Sequence, residues 1–326
     1  MPLSTDTYNI IKAASNADFD NEYYYALYSI VDTTVTVNGL SLPLVAGVII
    51  NTDITSISAT ANVFIIGDKK TSVDAPTTLS NYPEPEPEPD GIITENLVLN
   101  VDAANTDSYP GSGTLLTDLT GNYNATLVNG VGFTTDDGGA LVFDGVDDYG
   151  TFGNVPINFS ASAAWSVSIW FNNSQPLPTT SDIYGLISKR DINGVNGWNI
   201  ALRGGSLNGI IVFLSDTNLG FTPALTPTTD VRAQVSDGNW HQITLTFGLD
   251  DIARLYLDGV FLNSLSRPGW NFTNNRRLLL GSYEDNVNFP IGQFPLNGKL
   301  SEALVYETEL SAEDVLYNYN VIKARY

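Results

Sequence analysis

Residues 139–149 have the sequence GALVFDGVDDY, and this stretch decides the fold of the larger part of the chain. Its apolar run at residues 140–143 predicts a short β-strand. The acids Asp144, Asp147 and Asp148 follow at once and predict a tight turn, because Asp side chains accept hydrogen bonds from nearby backbone amides. We interpret this segment as a capped turn, with a cation site as the alternative.

Short segments of strand composition recur on both sides of this stretch, with turn signals between them. The sequence predicts strands at residues 97–101, 165–171, 198–203, 209–214, 240–247, 253–257 and 277–281. Asp258 and Gly259 separate two apolar runs and predict a two-residue hairpin turn, since its central residues need φ > 0. This spacing is typical of a β-sandwich or jelly roll, so we expect an all-β fold.

The C-terminal tail contains the one helix that the sequence predicts. Ser311 is a suitable N-cap, and Asp314 stands where a capping box requires an acid. Leu310 precedes the cap and is placed to pack on the first turn as a hydrophobic staple. The residues expected on the buried face of this short terminal helix are Val315, Leu316 and Tyr319.

The first 82 residues predict a separate small β-domain. Asn38 and Gly39 form a two-residue hairpin signal between the β-rich runs at residues 34–37 and 40–44. Further strands are predicted at residues 22–31, 48–50, 54–59 and 63–66. We interpret the three consecutive tyrosines at positions 23–25 as core and edge packing, with a contact between subunits as the alternative. We expect residues 1–82 to dock on a partner.

Residues 83–91, with the sequence PEPEPEPDG, alternate proline with an acid. Each proline fixes φ near the polyproline II value and removes a hydrogen-bond donor, and the acids repel one another. The segment can therefore join neither a helix nor a sheet. We expect a stiff acidic linker between residues 1–82 and a second domain at residues 92–326, extended by about 3.1 Å per residue.

The composition excludes several classes of partner. The 326 residues include 14 Lys and Arg against 36 Asp and Glu, a net charge of -22, so we expect no nucleic-acid partner. The longest apolar run, at residues 44–50, is too short to cross a bilayer, and the N-terminus shows no signal peptide, which predicts synthesis in a cytoplasm without membrane insertion. Cysteine is absent, so packing, hard cations or oligomerisation must provide stability, and we expect a homo-oligomer.

Residues 118–124, with the sequence DLTGNYN, place oxygen-bearing side chains at alternate positions. Calcium takes six to eight oxygen ligands, so this loop is a candidate calcium site. An Asx-rich turn that satisfies its own backbone is the alternative. The candidate ligands are Asp118, Thr120, Asn122 and Asn124.

Trp270 lies in a loop between two predicted strands, whereas the other four tryptophans lie within strand segments. An exposed indole ring flanked by the hydrogen-bonding side chains of Arg267 and Asn271 would suit a carbohydrate. We therefore expect these three residues to bind carbohydrate. A loop that packs on the rim of the sandwich is the alternative.

Four segments in this order resemble the signature of laminin-G-like, concanavalin-A-like jelly rolls. They are residues 139–149, residues 165–171 (WSVSIWF), residues 237–243 (DGNWHQI) and residues 253–259 (ARLYLDG). The resemblance covers about residues 92–326 and implies two antiparallel sheets, one concave face, frequent carbohydrate or protein binding and often a bound calcium ion. Residues 297–306 (NGKLSEALVY) resemble copies of this domain in tailed-phage and environmental viral proteins. The first 82 residues loosely resemble small β-domains of marine-phage virion proteins.

The sequence does not predict an enzyme. Laminarinase-type hydrolases related to this family carry Glu-x-Asp-x-x-Glu on one strand, a spacing that does not occur in this chain. Its nearest acidic pairs are Glu284-Asp285 and Glu307 with Glu309. The only histidine, His241, follows Trp240 inside a strand segment, so we expect a structural role for it.

These observations together predict a phage virion structural or appendage protein, of the capsid-decoration or fibre type. Residues 1–82 would bind other virion proteins, and the second domain would present a lectin-like module for reversible attachment to surface glycans. Assembly would take place in the host cytoplasm. The alternative is a secreted bacterial adhesin or a carbohydrate-active enzyme.

Overall fold

The computed structural model describes residues 91–177, 183–190, 196–205, 207–216, 225–283 and 294–326, together with the backbone of the strands named below at residues 8–69 and 220–221. The chain divides into two compact units, Met1–Glu88 and Pro89–Tyr326, and each is considered by itself. The predicted linker lies outside the described residues, except for Gly91.

The first unit consists of eight described strands in two antiparallel sheets. The strands are β1 (Tyr8–Ile11), β2 (Ala17–Asp18), β3 (Tyr23–Tyr28), β4 (Thr33–Val37), β5 (Leu40–Leu44), β6 (Ile50–Thr52), β7 (Ser56–Ala59) and β8 (Val63–Lys69). Their orders are β1-β8-β3-β6 and β2-β7-β4-β5. Val37 pairs with Leu40, which confirms the hairpin predicted from the two residues between them. The side chains of the tyrosine cluster lie outside the described residues.

The second unit is a sandwich of two antiparallel sheets. In chain order its strands are β9 (Leu97–Asp102), β10 (Leu115–Leu116), β11 (Ala125–Val128), β12 (Gly132–Thr134), β13 (Ala140–Asp144), β14 (Tyr149–Thr151), β15 (Trp165–Asn172), β16 (Ile183–Lys189), β17 (Gly197–Arg203), β18 (Gly209–Asp216), β19 (Gly220–Phe221), β20 (Trp240–Phe247), β21 (Ile252–Leu257), β22 (Val260–Ser266), β23 (Leu279–Leu280) and β24 (Asn297–Tyr306). Two short 3-10 helices, Asp136–Gly138 and Gln234–Ser236, and one α-helix, α1 (Ala312–Lys323), complete the described elements.

Sheet I has the order β10-β11-β14-β23-β16-β17-β18-β19, and sheet II has the order β12-β13-β24-β15-β20-β21-β22. Strand β9 also belongs to sheet II and pairs with the later half of β24. The all-β sandwich with a short terminal helix is therefore confirmed.

An aromatic cluster fills one end of the core between the two sheets. The indole of Trp165, on β15, is fully buried and stacks on Phe159 with ring centroids 4.4 Å apart. Trp198, on β17 of the opposite sheet, lies 5.8 Å from Trp165. Phe247 and Phe272 lie at 5.7 and 5.6 Å from the same indole. Because such rings bury large apolar areas, Trp165 ties the two sheets together.

The hairpin between β21 and β22 has the predicted two-residue turn. Leu257 lies opposite Val260, and the residues between them, Asp258 and Gly259, have φ of 53° and 76°. A Cβ atom at Gly259 would lie 2.8 Å from the Cδ1 atom and 3.2 Å from the Cα atom of Leu316 on α1, so the turn packs closely against the helix. The turn therefore lies directly beneath the terminal helix.

Helix α1 covers the outer face of sheet II and begins as predicted. The Ser311 side chain accepts a hydrogen bond from the Asp314 amide, and the Asp314 side chain accepts one from the Ser311 amide. Leu310 and Val315 belong to one buried cluster, as expected for a staple. Within the described residues, no helix has the length and apolar character needed to cross a membrane.

The predicted buried face of α1 is partly wrong. Its buried residues are Val315, Asn318 and Ile322, whereas Leu316 and Tyr319 are half-buried. Asn318 can be buried because its Nδ2 atom donates to the Tyr306 hydroxyl at 3.0 Å and its Oδ1 atom accepts from the Ile93 amide at 2.9 Å. Tyr319 instead lies flat on Trp170, with centroids 5.5 Å apart.

Three charged residues meet where β9 and β24 approach the C-terminal end of α1. Arg325 donates two hydrogen bonds to Asp102, at 2.8 and 2.9 Å. Glu302 is buried beside them. Burial raises the pKa of Glu302 to about 8, the charge of Asp102 adds to this effect, and the charge of Arg325 opposes it. Glu302 is therefore protonated at neutral pH.

We expect Glu302→Gln to stabilise the protein at alkaline pH. The folded state holds the Glu302 proton up to a pKa of about 8, whereas the ordinary value is 4.5, so stability falls as the pH rises between these values. Because one pKa unit corresponds to about 1.4 kcal/mol, the gain above about pH 8 is on the order of a few kcal/mol and vanishes near about pH 4.

Thermal unfolding followed by circular dichroism across this pH range measures the effect. The matched control is Glu307→Gln, at an exposed acid just beyond the end of the same strand, which should leave the pH profile unchanged. A Glu302→Gln profile that falls with pH as steeply as that of the unaltered protein would contradict the assignment.

Candidate functional site

Strand pairing places the candidate residues at opposite ends of the sandwich. Asp144 lies opposite Asn297, at the start of β24, and the segment from Asp144 to Asp148 is called the acidic turn. Ser266 lies opposite Ile252 at the other end of sheet II, and the following residues 267–276 are called the Trp270 loop. The acidic turn passes from β13 in sheet II to β14 in sheet I.

Backbone hydrogen bonds shape the acidic turn. The Oδ1 atom of Asp144 accepts from the Val146 amide at 2.8 Å, and the Oδ2 atom of Asp148 accepts from the Asp144 amide at 3.1 Å. Gly145 has φ of 78°, and a Cβ atom there would lie 2.7 Å from the Cβ atom of Asn297. The capped turn predicted from the sequence is therefore present, and it packs closely against the start of β24.

The three acids of the turn form a compact cluster. One carboxylate oxygen from each of Asp144, Asp147 and Asp148 lies within 4.8 Å of the others. Asp144 and Asp147 are exposed, whereas Asp148 is buried. Burial raises the pKa of Asp148; the hydrogen bond from the Asp144 amide counteracts this, and the charges of Asp144 and Asp147 add to it. The sequence had indicated these acids chiefly as turn residues.

Asp118 accepts most of the hydrogen bonds in the loop at residues 118–124, which the sequence predicted as a candidate calcium site. Its side chain is 1% exposed. Five hydrogen bonds of 2.7 to 3.2 Å reach its two carboxylate oxygens, from the amides of Asn100, Thr120, Asn122 and Tyr123 and from the Thr120 hydroxyl. The Asn124 side-chain oxygen accepts from the Asp118 amide at 3.0 Å.

These contacts match the Asx-rich turn and do not fit a calcium site. A cation needs oxygen lone pairs that point toward it, whereas both Asp118 oxygens face N–H or O–H donors. The Asn122 side-chain amide donates as well, to the Val98 carbonyl at 3.2 Å and to the Thr120 hydroxyl oxygen at 3.0 Å. The loop instead binds its own buried carboxylate and fixes the path of the chain beside β9.

The prediction that Trp270 is exposed is wrong. Its side chain is only 5% exposed and belongs to the main core, together with Phe272. Phe272 lies edge-on to Phe247, 5.2 Å away, so this pair of aromatic residues closes the core at its aromatic end. The Trp270 loop is therefore the packed rim that was the alternative interpretation.

The polar neighbours of Trp270 also face the protein. The Arg267 guanidinium lies 4.9 Å from the centroid of the Trp270 ring. The Asn271 amide donates to the Oδ2 atom of Asp216 at 2.8 Å, and the Asn271 side-chain oxygen accepts from the Thr273 amide at 2.9 Å. Arg267, Trp270 and Asn271 thus lie together, but they build the loop instead of presenting a flat ring to solvent.

The sequence did not predict that Lys189, at the base of this loop, is fully buried. The Nζ atom of Lys189 donates to the Arg276 carbonyl at 2.8 Å and lies 3.4 Å from both the carbonyl and side-chain oxygens of Asn274. Asn274 in turn donates to the Lys189 carbonyl at 3.0 Å. The only signal would have been a lysine next to an arginine at the end of an apolar strand, which is too common to single out.

His241 is held between two acids. Its Nδ1 atom lies 2.8 Å from the Oδ2 atom of Asp258, and its Nε2 atom lies 3.2 Å from the Oδ1 atom of Asp237. Burial lowers the pKa of His241, but the hydrogen bonds and charges of Asp258 and Asp237 outweigh it, so the pKa is raised. Both ring nitrogens thus face carboxylates, as expected for a structural histidine.

The acidic residues noted as pairs in the sequence have different surroundings in the structure. Glu309 accepts a hydrogen bond from Arg254 at 2.6 Å, and Glu307 is exposed. Glu284 and Asp285 lie outside the described residues. Burial raises the pKa of Glu309, and the charge of Arg254 opposes this.

Comparison with known proteins identifies a family. The family model described as the concanavalin A-like lectin/glucanases superfamily matches residues 144–316. None of the curated proteins compared with the chain gives a significant match.

Several solved structures share the fold. The binding domain of Paraclostridial Mosquitocidal Protein 1 is 19% identical, with a TM-score of 0.54, and the alignment covers 69% of this chain and 52% of that one. The botulinum neurotoxin serotype D binding domain is 16% identical, with a TM-score of 0.51 and coverage of 69% and 52%. A serotype D ligand binding domain in complex with N-acetylneuraminic acid is 18% identical, with a TM-score of 0.50 and coverage of 69% and 51%. The chain spans about half the length of these domains.

We expect Asp118→Ala to destabilise the second unit strongly. The change leaves buried amides without an acceptor, and each unsatisfied buried group costs about 1–3 kcal/mol, so a loss of roughly 3 kcal/mol or more is expected. Urea unfolding followed by tryptophan fluorescence measures it. Asp107→Ala, at an exposed position, is the control and should change the midpoint little. A midpoint for Asp118→Ala equal to that of the control would contradict the assignment.

Proposed function

The chain belongs to the concanavalin A-like lectin/glucanases superfamily, and we propose that its second unit is a lectin-like module that binds a surface glycan reversibly and does not cleave it. The observation that carries the proposal is the family match, which spans residues 144–316. The similar fold of a botulinum neurotoxin domain in complex with N-acetylneuraminic acid supports it.

The aromatic side chains that would contact a sugar differ from the one predicted. Sugar rings stack on exposed aromatic faces, which rules out the buried Trp270. Among the large apolar side chains that are exposed in the described part of the chain, two are aromatic, Phe261 at 52% and Phe294 at 41%. Each is held by an edge-on contact, Phe261 with Tyr256 at 5.7 Å and Phe294 with Tyr283 at 5.5 Å. We infer that one of these phenylalanines contacts the sugar.

The ion pairs formed by several acidic side chains favour glycan binding without hydrolysis. A glycosidase needs two carboxyl groups on either side of the scissile bond, about 5 Å apart when the enzyme retains configuration. Asp102 is bound to Arg325, Asp258 to His241 and Glu309 to Arg254. These three acids serve as structural partners, so none of them is available as one of such a catalytic pair, which supports a binding role.

We further propose that the chain is a phage virion structural or appendage protein of the capsid-decoration or fibre type. Residues 1–82 would dock on other virion proteins in a homo-oligomer, residues 83–91 would link the two units, and residues 92–326 would bind the glycan. The division of the chain into two compact units supports this arrangement, as does the resemblance of residues 297–306 to tailed-phage copies of the domain. A secreted adhesin or a carbohydrate-active enzyme is the second candidate, because the family also contains glucanases.

A glycan array probed with the multimerised full chain tests the binding proposal. Individual sites are expected to be weak, but linked sites bind at high effective concentration, so multimers should be retained on at least one host-surface glycan. Phe261→Ala or Phe294→Ala should reduce this signal about two- to twelvefold, since a stacked ring contributes about 0.5–1.5 kcal/mol.

The matched control is Leu249→Ala, since Leu249 is an exposed aliphatic residue at the other end of the sandwich, and the signal should remain. Absence of binding to every glycan would leave a purely structural decoration role. Release of reducing ends from the bound glycan would establish a carbohydrate-active enzyme instead.

Truncation tests the docking proposal. Residues 1–82 alone should be incorporated into assembling virions, whereas residues 92–326 alone should remain in the supernatant. Quantitative mass spectrometry of purified particles measures the occupancy of each fragment. Full occupancy by residues 92–326 would show that the first unit is not the anchor.

A further inference from the structure

Three buried side chains form a row across three neighbouring strands of sheet II. Gln242, on β20, lies directly opposite Trp170, on β15. Trp170 lies at a β-bulge, opposite the part of β24 that contains Glu302. The exposed fractions of Glu302, Trp170 and Gln242 are 5%, 1% and 1%. These three residues are called the buried row.

The alternation of side chains along each strand shows which face carries the buried row. Ile169, Ile243 and Ala303 each stand next to a member of the row, and all three belong to the main core between the sheets. Successive side chains of a strand point to opposite faces of the sheet. The buried row therefore points away from the main core, to the outer face that α1 covers.

Each member of the buried row has a polar atom without a partner among the described residues. These atoms are Nε1 of Trp170, Oε2 of Glu302, and both Nε2 and Oε1 of Gln242. Buried polar groups are normally paired, because an unsatisfied one costs free energy. Four unpaired atoms on three adjacent side chains indicate a polar partner that the described part of the protein does not provide.

The ring of Tyr326 covers this part of the outer face. Its centroid lies 4.8 Å from that of Trp170 and 4.5 Å from that of Trp240, and it is nearly parallel to the second indole, at 19°. Trp240 stands two residues before Gln242 on the same strand, so both side chains point to the same face. The unpaired amide of Gln242 thus lies beside the two indoles that Tyr326 contacts.

Tyr326 is placed as a removable cover. Helix α1 ends at Lys323, and Tyr326 lies beyond that end and is half-buried. The residue before it, Arg325, attaches this segment to β9 through its two hydrogen bonds to Asp102. The ring can therefore leave the outer face while the helix itself stays in place.

We propose that the buried row and Trp240 form a subsite for one ring of a neutral sugar, which Tyr326 fills when no glycan is bound. Phenol and pyranose rings are both six-membered, and both stack on the face of an indole. Sugar hydroxyl groups donate and accept hydrogen bonds, and the row offers N–H groups of Trp170 and Gln242 and oxygens of Gln242 and Glu302. Tyr326 reproduces the stacking but leaves these polar atoms unpaired.

The charges around the subsite exclude an acidic sugar. Glu302 lies opposite Asp102 on the paired strand β9, and the Trp240 indole donates to the Oδ2 atom of Asp137 at 3.0 Å. The positive charge of Arg325 is bound to Asp102. A carboxylate on the sugar would be repelled by these acids. The subsite therefore fits a neutral hexose or N-acetylhexosamine, in contrast to the N-acetylneuraminic acid of the neurotoxin complex.

This inference rests on the proposed glycan binding and assigns a second contact to it. Phe261 lies opposite Tyr256, and Tyr256 belongs to the same buried cluster as Trp170. The exposed ring of Phe261 is therefore on the same face of sheet II as the subsite. This placement favours Phe261 over Phe294 as the other aromatic contact of the glycan.

Saturation-transfer NMR titration of the full chain with glucose, galactose, mannose and N-acetylglucosamine tests the inference. Tyr326→Ala empties the subsite, so at least one of these sugars should bind about tenfold or more tightly than to the unaltered chain. The reason is that the apparent affinity of a site falls with the fraction of molecules in which it is open. N-acetylneuraminic acid should show no gain.

Three further variants make the result specific. Gln242→Leu, combined with Tyr326→Ala, should remove the gain without lowering the thermal unfolding temperature, because it replaces an unpaired buried amide by an apolar side chain. Arg325→Gln weakens the attachment of the cover and should give a smaller gain. The control Tyr317→Ala removes another half-buried tyrosine of the same helix and should give none.

Two outcomes would overturn the inference. One is a folded Tyr326→Ala chain, as judged by circular dichroism, that shows no gain for any neutral sugar, which would mean that water meets the buried row. The other is a gain that Gln242→Leu does not remove. In both cases binding of the unaltered, multimerised chain to the glycan array would still support the proposed function, so the two failures are distinguishable.

Discussion

The second unit depends on one constraint, which is that strand β15 is buried on both of its faces. Its inner face carries Trp165, whose contacts join the two sheets. Its outer face carries Trp170, which would be exposed in an open sandwich. Helix α1 and the residues that follow it remove that exposure, since Tyr319 of the helix and Tyr326 beyond its end pack on the Trp170 ring at 5.5 and 4.8 Å. The terminal helix is therefore required by the composition of the central strand.

Much of the fold was predictable because its signals are local. The hairpin at Asp258 and Gly259 and the cap at Ser311 each depend on a few adjacent residues, and both are present. The central strand β24 was noticed only through a family resemblance. Its Glu302 is buried on the face that also carries Leu304 and Tyr306, so the side of the strand that faces α1 lacks a uniformly apolar pattern.

The candidate site was harder to predict, because exposure and hydrogen bonding depend on distant parts of the chain. Trp270 is buried because its loop folds over a core that β15 and β17 build more than sixty residues earlier. The Asp118 and Asp148 segments are both rich in oxygen-bearing side chains, but only the first is surrounded by backbone donors, one of them from Asn100 on β9. The oxygen pattern at residues 118–124 thus indicated a carboxylate that accepts many hydrogen bonds, that of Asp118. The sequence did not reveal that its partners are mainly backbone amides.

The position of β24 determines the order in which the sandwich can be completed during synthesis. This strand lies between β15 on one side and β13 and β9 on the other, and it pairs with residues about 200 positions earlier in the chain. Until it leaves the ribosome, sheet II lacks its middle strand, and the edges of β13 and β15 have no partner there. Loop closure over such distances is slow, so the nascent chain holds unpaired, aromatic-rich strand edges for much of its synthesis. Its folding in the cell therefore depends on keeping those edges apart from neighbouring chains until the last strand is inserted.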